Sequence, residues 1–288
     1  MTQPVETNIA IGADEFAVYH WRGTGSPILL LHATGFHSRC WDEVVRRLPD
    51  RDIYAADLRF HGGSTRSGKV DWVGMGQDVS ALITRLDLTD VLLVGHSIGG
   101  HLATRAAATQ PERIRQLLLI DPVIMPPDIY ASLGATLADS AAQDHPVSRR
   151  KNRWRDAQEM YQRFHDRAPF STWDKAVLRD YCDYALQPAD EAGWLQLACD
   201  PLNEASVYIA SSRAGDIFQL LPQVSCPVTL LRAAAGEPMD LAASPTWAGL
   251  ASALPDCREH YLPDMNHFIP MCDPGLVARH ICEMIGSG

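Results

Sequence analysis

The sequence predicts an α/β fold: a mostly parallel central sheet with helices on both faces, interrupted by an inserted helical segment. Over the first 122 residues, short continuous apolar runs alternate with stretches of helical spacing. Such runs are typical of strands buried on both faces, and their alternation with helices is typical of a parallel sheet. The alternation stops over residues 123–222 and resumes from residue 223. One sheet split by an insertion explains this order.

The strands are predicted where apolar runs end in polar or glycine-rich turns. Ile28–Leu31 is continuous and apolar, whereas Phe16–Trp21 alternates enough to indicate a strand. The predicted strands are Phe16–Trp21, Ile28–Leu31, Asp52–Asp57, Val91–Val94, Ile114–Ile120, Pro227–Leu231 and His260–Leu262.

Helices are predicted between these strands, where apolar residues recur every three or four positions. Proline residues end two of them, at Pro49 and Pro111. The predicted helices are Cys40–Leu48, Asp71–Leu86, His101–Ala108, Pro245–Leu254 and Pro274–Ile285.

The insertion, residues 123–222, shows no convincing buried strand and contains amphipathic helical stretches rich in aromatic residues. Its basic run Arg149–Arg155 is interpreted as a solvated helix face. Residues 1–122 and 223–288 are predicted to form the core. Sheets of this kind bind ligands at the carboxyl ends of their strands, where the insertion emerges. We therefore interpret the insertion as a cap over the site.

The composition is that of an ordinary soluble globular protein, with 46% hydrophobic and 21% charged residues. A formal net charge of −10 argues against nucleic acid or an anionic membrane as a partner. The first twelve residues contain no apolar signal-peptide core, and no apolar run is long enough to span a bilayer. We therefore expect neither a secretory signal nor a transmembrane segment.

The cysteine and histidine residues show no metal-ligand spacing. The seven cysteines are odd in number and scattered, without a C-x-x-C pair, which indicates reduced thiols. The eleven histidines form neither H-x-x-x-H nor H-E-x-x-H. The sequence therefore predicts a cytoplasmic protein with no metal and no cofactor.

A candidate nucleophile lies in Gly95-His96-Ser97-Ile98-Gly99, directly between a predicted strand and a predicted helix. This is the G-x-S-x-G pattern of a nucleophile elbow. The turn requires glycine at both positions, because a Cβ at either one would collide with the neighbouring strand or helix. A helix that begins there points unpaired N–H groups at a nearby oxyanion. An incidental serine in a glycine-rich turn is the alternative, but the flanking strand and helix favour the functional interpretation.

Together with three other motifs, this pattern resembles the α/β-hydrolase superfamily, in its capped branch with a serine nucleophile. The resemblance covers the whole chain in family order and implies the α/β-hydrolase fold and an esterase-like hydrolase. Ala33 and Phe60 replace glycines of the family pattern, and we expect them to affect loop packing more than activity. The motifs are His32–Gly35, Asp57–Gly62, Gly95–Gly99 and Asn266–Phe268.

The resemblance implies that the catalytic histidine follows the last strand, where His267 lies. A serine hydroxyl needs such a base within hydrogen-bond reach. His96 flanks the serine, but its side chain is expected to point elsewhere. His101 lies in a predicted helix, and His32 and His61 lie in turns, where structural hydrogen bonds are the commoner role.

The resemblance also implies an oxyanion hole made of two backbone N–H groups. One donor is Ile98, which follows the nucleophile. The second comes from the loop after the strand Ile28–Leu31, and we expect Thr34. Ala33 or Phe36 could occupy the same place.

The acid of the triad is the least settled residue. In the family it usually follows the strand after the cap, but that position holds Gly236, with Glu237 one residue later and Asp240 further on. The other known position ends the strand before the cap, where Asp121 lies in a segment similar to the acid-bearing segment of some haloalkane dehalogenases. We favour Asp121 over Glu237, with Asp240 third.

The serine nucleophile implies attack at a carbonyl and an acyl-enzyme. The sequence therefore predicts a carboxylic-ester hydrolase, an esterase or lactonase, acting on a small or medium apolar acyl substrate. The same triad could instead cleave a carbon–carbon bond, a thioester or an amide, or act as a perhydrolase. A ligand receptor built on a hydrolase scaffold is the alternative from another functional class.

Overall fold

The computed structural model describes residues 3–137, 140–236, 240 and 242–286. Its strands are β1 (Val5–Ile11), β2 (Asp14–Trp21), β3 (Thr24–Leu31), β4 (Arg51–Ala56), β5 (Val91–His96), β6 (Ile114–Ile120), β7 (Arg153–Trp154), β8 (Leu186–Pro188), β9 (Leu195–Leu197), β10 (Val228–Ala233) and β11 (Cys257–Leu262). Its helices are α1 (Asp42–Val45), α2 (Trp72–Arg85), α3 (Ile98–Thr109), α4 (Pro127–Leu137), α5 (Ala157–Phe164), α6 (Lys175–Tyr184), α7 (Pro201–Ala210), α8 (Leu250–Ala253), α9 (Ile269–Cys272) and α10 (Pro274–Gly286). In these parts of the chain, no helix has the length and apolar character that crossing a bilayer requires.

The main sheet confirms the predicted fold class. Its strand order is β1-β2-β4-β3-β5-β6-β10-β11. The strands from β4 to β11 in this order pair in parallel, and β2 and β1 extend the sheet by antiparallel pairing. The sequence analysis missed β1, because most of its side chains are exposed and form no apolar run.

Alternating side chains of the central strands supply the two faces of the core. Leu29 and Leu31 of β3 pack with α2 and α3 on one face, and Ile28 and Leu30 pack with α1 and α10 on the other. All four side chains are fully buried. Successive side chains of a strand point to opposite faces, so a continuous apolar run is what a sheet covered by helices on both sides requires.

Two predicted helices are shorter in the structure. Within Cys40–Leu48 only α1 is α-helical, preceded by a 3₁₀ turn, and within Pro245–Leu254 only α8 is. The second difference has a clear cause. The hydroxyl of Thr246 donates to the Pro122 carbonyl, and the N–H of Trp247 donates to the Ile124 carbonyl. These bonds tie the segment to the chain after β6, in place of helical bonds.

The insertion contains helices α4 to α7, as predicted, but also a small antiparallel sheet of order β7-β9-β8. The sequence analysis recognised no convincing buried strand here and missed this sheet, because strands of two or three residues are too short to show a periodicity. The basic run Arg149–Arg155 is likewise not a solvated helix: it leaves a 3₁₀ turn and enters β7.

Ion pairs Arg46–Asp180 and Arg105–Asp216 attach the insertion to the rest of the chain.

Candidate active site

Ser97 lies at a sharp turn between β5 and α3, with φ 58° and ψ −120°. This is a strained conformation for a residue other than glycine. A Cβ on Gly95 would overlap the Gly99 carbonyl, and a Cβ on Gly99 would lie 2.7 Å from the carbonyl oxygen of His32. The turn therefore needs both glycines, for the reason that the sequence analysis gave.

Three candidate side chains converge at the carboxyl ends of the strands. Ser97 follows β5, Asp121 follows β6, and His267 lies in the loop between β11 and α9. The Ser97 hydroxyl lies 3.0 Å from Nε2 of His267, and Nδ1 of His267 lies 2.6 Å from Oδ2 of Asp121. A proton on Nδ1 donates to the carboxylate and leaves Nε2 free to accept from the serine. The arrangement is that of a serine–histidine–carboxylate relay.

Asp121 is fully buried, and three donors surround its second oxygen. Oδ1 accepts hydrogen bonds from the Ala233 N–H at 3.0 Å, the Ser244 hydroxyl at 2.6 Å and the Thr246 hydroxyl at 3.2 Å. Burial by itself raises the pKa of Asp121, but the bonds from His267, Ser244 and Ala233 outweigh it, so the pKa lies below its usual value. The carboxylate is therefore held ionised. Sequence reasoning missed Ser244 and Thr246, which belong to an irregular segment without any motif.

Asp240, a second acid candidate, does not share this setting. Asp240 is exposed, and its carboxylate accepts a hydrogen bond from the N–H of Ala242, two residues along the chain. Glu237 lies outside the described residues. Of the two described candidates, only Asp121 reaches His267.

His32 and His61 have the structural role that was expected for them. Nε2 of His32 accepts from the Leu58 N–H, and Nε2 of His61 accepts from the Gly35 N–H, both at 3.0 Å. Burial is the main cause that lowers the pKa of each to about 3. Both imidazoles are therefore neutral, and they connect the loops that follow β3 and β4.

His96 contacts the backbone of the candidate base. Its Nε2 donates to the carbonyl oxygen of His267 at 2.8 Å, and the two ring centroids lie 5.1 Å apart. Within the described residues, Nδ1 of His96 is buried without a hydrogen-bond partner. Burial lowers the pKa of His96 to about 3. The residue before the candidate nucleophile thus holds the loop that carries His267.

Two of the N–H groups in the loop after β3 are already engaged. The N–H of Phe36 donates to the Ala33 carbonyl at 3.2 Å, and that of Gly35 donates to His61. In the described part of the chain, the N–H groups of Ala33, Thr34 and Ile98 have no protein acceptor. Phe36 is therefore removed as an oxyanion donor, while Thr34 and Ala33 both stay available beside Ile98.

The family comparison decides what kind of protein carries this site. A model of the alpha/beta hydrolase family matches residues 28–280. The chain belongs to the alpha/beta hydrolase family. The match begins within β3, covers the strands from β4 to β11, and includes the loops that carry Ser97, Asp121 and His267. The protein is therefore a hydrolase enzyme.

The similarity to several known proteins covers nearly the whole length of this hydrolase. Lipase LipV of Mycobacterium tuberculosis is 29% identical over 270 residues, which cover 90% of this chain and 93% of LipV. N-formylmaleamate deformylase of Pseudomonas putida is 27% identical over 259 residues, 87% of this chain and 85% of the deformylase. The crystal structure of E-2-(acetamidomethylene)succinate hydrolase is similar in fold, with a TM-score of 0.77 at 22% identity over 98% of this chain and 99% of that one.

The loop after β4 departs from the family pattern at one position, Phe60. Phe60, where the resemblance predicts glycine, has φ 71° and is buried. The position thus has the left-handed geometry that glycine adopts without cost and that costs other residues about 1–2 kcal/mol. The loop is still held in place, because Oδ2 of Asp57 accepts the Gly63 N–H at 2.9 Å and Oδ1 accepts the Ser38 N–H at 2.7 Å.

Aromatic side chains line the side of the site that faces the insertion. Trp173 of the insertion lies with its ring centroid 5.5 Å from those of Phe36 and Phe268. Phe268 follows His267 directly, and Phe36 belongs to the loop after β3. The wall between the insertion and these two loops is therefore apolar and aromatic at this point.

A charged pair lies in the same region of the hydrolase. Nη1 of Arg150 donates to Oε2 of Glu204 at 2.6 Å, and Nη2 donates to the Tyr181 hydroxyl at 2.8 Å. Sequence reasoning missed this pair, because Arg150 belongs to a basic run that resembles a solvated surface. Glu204 comes from α7, 54 residues further along the chain.

Proposed function

We propose that this hydrolase cleaves carboxylic esters through an acyl-enzyme, with Ser97 as nucleophile, His267 as general base and Asp121 as the orienting acid. One observation carries the proposal: the continuous contact from the Ser97 hydroxyl through the His267 imidazole to the buried Asp121 carboxylate. In the same proposal, residues 1–122 and 223–288 form the catalytic core, and residues 123–222 form a cap over the site.

Acylation begins when Ser97 attacks the ester carbonyl carbon and its proton passes to Nε2 of His267. The carbonyl oxygen becomes an oxyanion, which accepts hydrogen bonds from the N–H of Ile98 and from Thr34 in the loop after β3. Asp121 stabilises the imidazolium that forms. His267 then gives the proton to the leaving alkoxide, so the carbon–oxygen bond breaks and the alcohol departs.

Deacylation repeats these steps with water as the nucleophile. His267 takes one proton from a water molecule, whose oxygen attacks the acyl carbon bound to Ser97. The second tetrahedral intermediate collapses with transfer of the proton to Oγ of Ser97. The carboxylic acid is released and the serine hydroxyl is restored.

The aromatic wall formed by Phe36, Trp173 and Phe268 is an argument for a small or medium acyl substrate with an apolar part, which this wall would contact. The similarity to lipase LipV supports an ester as the bond cleaved. A net charge of −10 supports a small molecule as the partner, with neither nucleic acid nor an anionic membrane involved.

A second candidate is amide hydrolysis by the same three residues. The N-formylmaleamate deformylase of Pseudomonas putida favours it, because that similarity also extends over most of both chains. Ester and amide hydrolysis share the nucleophile and the oxyanion hole, and they differ in the group that His267 must protonate.

The test is turnover of p-nitrophenyl acetate and butyrate beside matched anilides, thioesters and a lactone. We expect ester cleavage in the wild-type protein and its loss, by a factor of 10³ or more, in Ser97→Ala. Ser80→Ala, on the surface side of α2, is the control and should keep full activity. Faster cleavage of the anilides would favour the amide candidate. Slow single turnovers with tightly held product would instead support a receptor.

A further inference from the structure

The Arg150–Glu204 pair belongs to the insertion and lies against the loop after β3 that carries Gly35. A small gap of about 10 Å³, room for about one water molecule, opens there. Arg150 lines this gap together with Gly35, Phe36 and Gly62. Arg150 therefore lies beside the loop that supplies the proposed oxyanion donor, Thr34.

The Glu204 carboxylate touches that loop directly. Gly35 follows Thr34 and has φ 79°, and a Cβ added there would lie 2.8 Å from Cδ of Glu204. One oxygen of Glu204 binds Arg150, and the other lies on the Gly35 side. A carboxylate thus already occupies the place beside the oxyanion loop.

Burying the Glu204 end of this pair is costly. Only 5% of the Glu204 side chain is exposed, against 23% of the Arg150 side chain, and burial is the largest influence that raises the pKa of Glu204. A buried ion pair often contributes no more stability than apolar residues of similar volume, so stability alone does not account for it. The bond to Glu204 is also made through one nitrogen, whereas a guanidinium can hold a carboxylate with two parallel bonds.

We propose that Arg150 binds a carboxylate group of the substrate, and that Glu204 occupies this position while the site is empty. The inference rests on the proposed function, whose substrate class it narrows to esters or amides that carry a carboxylate near the cleaved bond. Because the gap is too small for an added group, the substrate carboxylate must displace that of Glu204. The aromatic wall then contacts the apolar remainder of the substrate.

The hypothesis that the Arg150–Glu204 pair is purely structural predicts a different result. If Arg150 and Glu204 only held the insertion together, replacing either would damage activity on every substrate alike. If Glu204 competes with the substrate, replacing the two residues must shift KM for an anionic substrate in opposite directions.

The experiment compares two pairs of esters that differ in one charge: the mono-4-nitrophenyl ester of succinic acid with its methyl ester, and 4-acetoxybenzoate with methyl 4-acetoxybenzoate. We expect the wild-type protein to prefer the anion of at least one pair by tenfold or more in kcat/KM, after subtraction of the uncatalysed rate. Arg150→Met should abolish the preference by raising KM, and Glu204→Gln should lower KM for the anion. Arg153→Met, an exposed arginine of the same run paired with Glu191, is the matched control.

Equal rates on charged and neutral esters, or equal effects of Arg150→Met on both, would overturn the inference while leaving the ester hydrolase intact. If no ester is cleaved, calorimetric binding of succinate to the Ser97→Ala protein still tests it. Binding that is lost in the additional Arg150→Met variant supports the carboxylate site, and binding that is absent or unchanged refutes it. Thermal melting of each variant identifies loss of folding.

Discussion

Replacing Asp121 with asparagine tests the proposed relay sharply, because the surroundings fix how the new amide lies. Oδ1 of Asp121 receives hydrogen bonds from the Ala233 N–H and from the hydroxyls of Ser244 and Thr246. An amide oxygen accepts from these donors, whereas an amide NH₂ opposes the N–H of Ala233. In Asp121→Asn the NH₂ group should therefore face Nδ1 of His267.

The result is the wrong imidazole tautomer. An NH₂ group donates to Nδ1, so the ring proton moves to Nε2, and His267 can no longer accept the proton of Ser97. The same substitution in a serine-protease triad lowers turnover about 10⁴-fold, which corresponds to about 5.5 kcal/mol. Folding should be retained, since the amide fills the same volume and keeps the bonds at Oδ1.

The assay is kcat on p-nitrophenyl butyrate, with circular dichroism as the check on folding. We expect the 10⁴-fold loss in Asp121→Asn only, with changes below about threefold in Glu237→Gln and in the exposed control Asp240→Asn. A folded Asp121→Asn protein within tenfold of wild type would refute the reasoning. A large loss in Glu237→Gln would move the role of the acid to that residue.

Two further predictions concern the buried histidines. His96→Phe removes the donor to the His267 carbonyl, so kcat should fall about 10- to 100-fold with KM nearly unchanged, and an equal change in both would refute a positioning role. His32, His61, His96 and His101 are held neutral, each with its pKa lowered from 6.5 to about 3, mainly by burial. The unfolded chain therefore binds more protons below pH 6.5, and each histidine should remove up to about 1.4 kcal/mol of stability per pH unit as the pH falls toward 3. Urea titrations at pH 7.5, 6 and 5 check this, and a constant free energy of unfolding would contradict it.

The fold could be predicted from the sequence because burial on two faces leaves a strong local pattern. Runs such as Ile28–Leu31 and Leu117–Ile120 are apolar throughout, and each is buried on both sides. Ser97 could be identified because a strained turn dictates its neighbours, Gly95 and Gly99. Exposed or very short strands, among them β1 and β7, leave no such pattern.

The remaining parts of the site depend on contacts between distant segments. Ser244 and Thr246 reach Asp121 across 123 and 125 residues of chain. Arg150 resembles its solvated neighbours in composition and differs only through its contacts with Glu204 and Tyr181. Such partners are set by tertiary packing, and no periodicity or local spacing records them.

The spread of Ser97, Asp121 and His267 along the chain has a consequence for folding. His267 lies 170 residues after Ser97 and 146 after Asp121, and it follows β10 and β11, which come after the whole insertion in the sequence. Contacts of such long range form late, because the closure of the intervening loop must come first. We therefore expect hydrolytic activity to return during refolding only when β10 has paired with β6 and β11 with β10.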